Sequence, residues 1–261
     1  MKSPRFLALG PGAMGFFALL GYLRKVDLSR VEEVSGASAG ALLGLFICMG
    51  LTPDEIFGIT VSLKSDGLLK TNLMSLVSKY GLISLEPLKV KLKSLIGDPT
   101  FESLQKKLHV AAFCVDTGQT EYFSGPPDAK VLDYIIMSIA VPFLFETVRY
   151  EDKVYVDGGL IEHVPLTPFL NRVPIKEDSE APTSPESSDE TLAIQLVYEG
   201  EESVRDFLTF AVRLVTVAKK CQEYPDVVTI HVNVNLFNFS MPPEVRKKLF
   251  SLSEDTCRVT E

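Results

Sequence analysis

Residues 33–46 read EVSGASAGALLGLF: a short β-branched run, then small residues packed around Ser38, then an apolar segment without a charge. The pattern predicts a strand over 31–34 and a buried helix over 38–49. Gly36-Ala37-Ser38-Ala39-Gly40 therefore falls on a strand-to-helix turn, the context in which G-x-S-x-G forms a nucleophile elbow. Small neighbours suit a serine in a strained turn, because larger side chains would clash with the adjacent chain. The following helix would add partial positive charge near the hydroxyl. The competing assignment is a helix start in which Ser38 serves only as the cap.

Outward from this turn the chain alternates. Residues 6–9 predict a strand and 13–25 a helix, so the opening is β-α-β-α. Residues 53–108 read as largely helical, with Pro53, Pro87 and Thr100 at helix starts and Gly50, Gly81 and Gly97 near ends. A hairpin is predicted from 109–115 and 120–123, a helix over 131–139 and a strand over 153–156. Strands near 192–197 and 227–232 flank a helix near 202–221. Interleaved strands and helices imply an α/β fold, a three-layer sandwich with a mostly parallel central sheet. A length of 261 residues fits one domain, 1–261.

Composition removes several functional classes. The net charge of -8 lacks the cationic surplus that drives nucleic-acid binding. Residues 176–190, KEDSEAPTSPESSDE, carry -5 of it and read as a disordered acidic loop. Cys48, Cys114, Cys221 and Cys257 show no metal-ligand spacing and read as buried thiols. Residues 6–23 imitate a secretory signal and 34–53 a membrane span, yet Gly10-Pro11-Gly12 breaks the first and a glycine turn opens the second. Neither a signal peptide nor a transmembrane segment is expected, and the implied location is cytoplasmic.

Two further motifs carry chemistry. Gly10-Pro11-Gly12-Ala13-Met14-Gly15 matches G-x-G-x-x-G, with Glu32 and Glu33 in the place of a ribose-binding acid, which would suit a dinucleotide. The same amides would also suit a developing oxyanion. Asp157-Gly158-Gly159 ends a predicted strand and offers either a tight turn or a general base whose glycines admit close backbone. Of the three histidines, His109 and His231 lie in predicted strands as packing residues. His163 reads as a surface turn residue, with lining of the site as its alternative.

In their order along the chain, the glycine loop, the G-x-S-x-G turn and the D-G-G turn resemble the patatin-like phospholipases of the compact single-domain type. The stretch SIAVPFLFETVRYEDKVYVDGGLIEHVP (138–165) is similar to that family as well. The resemblance implies a lipid acyl hydrolase of phospholipase A type that uses a Ser38–Asp157 dyad and an acyl-enzyme, without histidine, metal or cofactor. Gly10, Gly12, Ala13 and Gly15 would form the oxyanion hole, Gly36 and Gly40 the elbow, Gly158 and Gly159 the base loop. The family's loop usually reads G-G-G-x-Arg/Lys-G; here Pro11 lacks an N–H and Met14 lacks the charge.

Residues 61–108 hold eight lysines against four acids, interleaved with apolar residues. They read as a basic cap that rests transiently on an anionic bilayer, or as an ordinary solvated face; Lys89, Lys91 and Lys93 alternate rather than follow a helical stripe. Rival readings are an inactive lipid-binding protein, an NAD(P)-dependent oxidoreductase and a histidine-triad hydrolase using His231. Oligomeric state has no signature in the sequence.

Overall fold

The computed structural model describes residues 2–61, 71–170, 190–198, 209–210, 213, 227–235, 237–251 and 257–259. In chain order the elements are β1 (Phe6–Leu9), α1 (Phe16–Leu23), β2 (Glu33–Ala37), α2 (Ala39–Cys48), α3 (Pro53–Thr60), α4 (Leu73–Ser78), β3 (Gly81–Ile83) and α5 (Glu86–Ile96). There follow β4 (Lys107–Cys114), β5 (Gln119–Phe123), α6 (Val131–Ser138), β6 (Phe143–Phe145), β7 (Val148–Tyr150), β8 (Lys153–Asp157), β9 (Thr191–Tyr198), β10 (Val228–Val232), α7 (Pro243–Phe250) and β11 (Cys257–Val259).

Among the described residues, nine strands form the main sheet in the order β11-β10-β9-β1-β2-β4-β8-β7, with β5 also paired to β4. The inner five, β10 to β4, run parallel. β1 is FLAL, buried at all four positions, as expected of a central strand covered on both faces. Leu7 and Leu9 join Val34 and Val110 in the main core beneath α1, α2 and α6. Phe6 and Ala8 face the other way and pack with Val164 and Phe169. This is the expected α/β architecture: a central, mostly parallel sheet flanked by helices. Uncharged α2 is buried at Leu43, Leu45, Phe46 and Ile47, so its apolarity belongs to a core helix. No helix among the described residues is long and apolar enough to cross a membrane.

The structure corrects several boundaries. β2 begins at Glu33 rather than Val31 and continues through Gly36 and Ala37 to the serine itself. The region read as helical contains β3, which pairs with β6 in a small second sheet. β6, β7 and α7 carried no periodicity long enough to register. Most of the acidic tract 176–190, most of the helix expected at 202–221, and Cys221 lie outside the described residues. Glu190 is described, and its carboxylate accepts hydrogen bonds from Arg5 at 3.1 and 3.3 Å. Cys48 and Cys114 are buried free thiols, and burial pushes the Cys48 pKa up, away from reactivity.

Candidate active site

β2 delivers Ser38 at its carboxyl end, where ligands of parallel α/β sheets bind. The residue has φ 56° and ψ -124°, a conformation that costs a non-glycine residue roughly 1–3 kcal/mol. Its side chain makes no capping hydrogen bond to α2, which sets aside the cap assignment. The Ser38 amide donates instead to Ser138 Oγ at the end of α6, 2.9 Å away. The glycines of the motif are steric requirements. A Cβ on Gly36 would sit 2.5 Å from Ala41 Cα, and one on Gly40 would sit 2.2 Å from the Leu9 carbonyl oxygen and 2.6 Å from that of Gly10. Gly40→Ala is therefore expected to destabilise the fold by about 1–3 kcal/mol, read as a lower thermal midpoint. An unchanged midpoint would mean that α2 does not press on the end of β1.

Asp157 closes β8 and is 2% exposed. Its Oδ1 accepts the Gly159 amide at 2.8 Å, while its own amide donates to the Ala140 carbonyl at 2.9 Å. Register relates it to the serine. Ala37 is level with Ala111 on β4, and Ala112 is level with Asp157, so one strand separates Ser38 from Asp157 at the same height. Two strand spacings of about 4.8 Å put their α-carbons on the order of 10 Å apart. Asp157 shares the sheet face of Ala112 and Gly36, the face on which α2 packs. The end of α6 reaches both segments, through Ser138 on one side and Ala140 on the other.

The glycine loop meets the same two segments. A Cβ on Gly159 would sit 2.5 Å from Pro11 Cγ, one on Gly158 would sit 2.1 Å from the Ala111 oxygen, and one on Gly10 would sit 2.6 Å from the His163 oxygen. Two of the four amides expected to meet an oxyanion are engaged elsewhere. Gly10 donates its amide to Ile194 O at 2.9 Å and Gly15 donates to Gly12 O at 2.8 Å, so both donors are spent within the fold. Pro11 has none, which leaves the amides of Gly12 and Ala13. Ala13 is left-handed, with φ 41°. Met14, at the position the family fills with a cation, packs against the main core.

Three other expectations change. Glu33 lies at the amino end of β2, the end opposite the glycine loop, where it meets His109 Nε2 at 2.7 Å. Glu33 therefore does not stand near the loop as the ribose-binding acid of a dinucleotide site would. His163, read as a surface turn residue, is 9% exposed with its backbone against Gly10. His231 lies on β10, five strands along the sheet from the β8 that carries Asp157, roughly 24 Å by strand spacing. Ser38, Asp157 and His231 cannot form a hydrogen-bonded triad at that separation. Ser138 lies in the segment 138–165, but nothing local in the sequence marks its bond to the elbow.

The lysine surplus is also smaller than its count. Lys79 pairs with Glu146 at 3.0 Å, Lys89 with Asp133, and Lys93 with Asp98 at 2.6 Å. Two of those acids come from later in the chain.

Residues 7–170, which contain all three motifs, match the family described as patatin-like phospholipase. The chain belongs to the patatin-like phospholipase family. Among relatives of this patatin-like protein, a probable lipid hydrolase of Invertebrate iridescent virus 6 is 31% identical over 184 residues, covering 63% of each chain. An uncharacterised protein of Acanthamoeba polyphaga mimivirus is 28% identical over 179 residues, covering 62% of this chain and 60% of the other. The match thus spans somewhat under two thirds of these relatives. The crystal structure of VipD from Legionella pneumophila shares the fold, with a TM-score of 0.55 at 16% identity, over 95% of this chain and 65% of that one.

Proposed function

We propose that this patatin-like chain hydrolyses acyl ester bonds of lipids, phospholipids among them, with Ser38 as nucleophile and Asp157 as general base. The observation that carries the reading is the meeting of three distant segments: Pro11 against Gly159, Gly40 against Leu9 and Gly10, and Ser138 and Ala140 on the amides of Ser38 and Asp157. The family and the lipid hydrolase named for the iridescent virus support the same class of substrate.

In this mechanism Ser38 Oγ attacks the ester carbonyl carbon as its proton passes to the Asp157 carboxylate. The carbonyl oxygen takes up the negative charge and is met by the amides of Gly12 and Ala13. Collapse of the intermediate breaks the bond to the alcohol, which leaves with the proton from Asp157. Water then attacks the acyl-serine, giving its proton to the same carboxylate, and the fatty acid departs as Asp157 passes that proton to Ser38 Oγ. Asp157 is buried, and the bond from the Gly159 amide to its Oδ1 fixes the orientation of the carboxyl group. Contact with the bilayer that holds the substrate is transient in this reading.

The test is release of free fatty acid from phospholipid mixed micelles, run beside hydrolysis of dissolved p-nitrophenyl butyrate. Turnover of both supports the proposal. Failure of both, with vesicle binding intact, favours the second reading, an inactive lipid-binding protein, for which the missing Pro11 amide is the specific argument. One oxyanion donor is worth about 100- to 1000-fold in rate. Pro11→Gly restores an amide and is expected to keep or raise kcat, by up to about 100-fold. A tenfold fall in a folded variant would mean that the Pro11 ring on Gly159 matters more than the missing donor.

A further inference from the structure

α4 is built the wrong way round for a helix of a soluble surface. At 100° per residue, Leu73, Met74 and Val77 occupy one sector, and they are 77%, 75% and 78% exposed. Ser75, on the opposite side, is 5% exposed, and Leu76 packs on the cluster around Ile136 and Leu144. Three of the four apolar residues of α4 are outside, while Ser75 is inside. The stripe continues through the next turn. Tyr80 is 55% exposed, and Phe143, which pairs with the neighbouring Gly81, is 45% exposed. Both aromatic residues have left-handed backbone, φ 55° and 66°, which is strained for side chains of their size. Large apolar side chains exposed together on one short segment mark an interaction site.

Charge identifies the partner. Lys79 and Tyr80 also border a cavity of about 750 Å³ whose wall includes Ile136 and Met137 and whose cations are Lys79, Lys89, Lys130 and Arg149. Glu86, Asp133 and Glu146 line it too; Glu146 and Asp133 neutralise Lys79 and Lys89. Lys130 and Arg149 form no salt bridge among the described residues, although the Lys130 ammonium donates to the Asp98 carbonyl at 3.4 Å. In a chain of net charge -8, an apolar helix beside two such cations fits a lipid surface with negative head groups.

We propose that α4, Tyr80 and Phe143 dock on an anionic phospholipid bilayer, with Lys130 and Arg149 facing its head groups. Phe143 follows three residues after Ala140, whose carbonyl accepts the Asp157 amide. Delivery of substrate to the candidate site rests on the hydrolase reading above, whereas the docking itself is measured without turnover.

The test is co-sedimentation of the full chain with vesicles of phosphatidylcholine, with or without phosphatidylglycerol. Wild type is expected to bind the anionic vesicles more tightly than the neutral ones. Leu73→Ser combined with Val77→Ser should weaken binding roughly tenfold or more, and Lys130→Glu combined with Arg149→Glu should remove the preference for phosphatidylglycerol. Both double variants should hydrolyse dissolved p-nitrophenyl butyrate as wild type does, which also shows that they are folded. Binding without any hydrolysis by wild type would support the docking and defeat the hydrolase reading. The docking is overturned if wild type ignores anionic vesicles or if the variants bind like wild type. It is equally overturned if sedimentation velocity shows a wild-type dimer that Leu73→Ser with Val77→Ser dissociates, since the occupant would then be a second copy.

Discussion

Ser38→Ala is expected to lower the hydrolysis of p-nitrophenyl butyrate by at least about 10⁴-fold while leaving the fold intact. Loss of a serine nucleophile removes the covalent route, and what remains comes from binding and oxyanion contacts alone. Stability should stay within about 1 kcal/mol of wild type. Alanine keeps the Cβ, so the strain of φ 56° is unchanged, and the deleted oxygen makes no capping bond. Activity and thermal unfolding measured on one preparation separate the two effects. A variant that turns over at a tenth of the wild-type rate or better would show that Ser38 is not the nucleophile.

Asp157→Asn is expected to cost on the order of 10⁴-fold in kcat. Asparagine is nearly isosteric and its side-chain oxygen can still accept the Gly159 amide now bound by Oδ1. The ability to take a proton from a hydroxyl is what disappears. KM should change little, because the substitution adds no bulk at a position 2% exposed. Unfolding is the structural risk, and circular dichroism with the thermal midpoint controls for it. A full rate from a folded Asp157→Asn protein would remove the dyad from the mechanism.

The elbow was legible in the sequence because its glycines are dictated by hard contact: backbone occupies the space of a Cβ at Gly36 and at Gly40. Strand β1 and helix α2 were legible because burial on all sides leaves long apolar runs without charge. What escaped depends on partners distant in sequence. Glu33 was placed near the wrong end of its strand because β2 starts two residues later than the apolar run suggested, and its partner His109 is 76 residues away. The spent amides of Gly10 and Gly15 could not be separated from those of Gly12 and Ala13, since the carbonyl that takes the Gly10 amide belongs to Ile194. Ser138 looks like any helix-end serine until the fold sets it 2.9 Å from the Ser38 amide. β3 and β6 are three residues each, too short for a period, and so residues 53–108 read as largely helical.

The most direct measurement is the site of covalent labelling by a fluorophosphonate probe, located by mass spectrometry of the digested protein. One adduct is expected, on Ser38, strongly reduced in Asp157→Asn and absent in Ser38→Ala. An adduct on a different residue, or esterase activity that persists in Ser38→Ala without labelling at position 38, would contradict it.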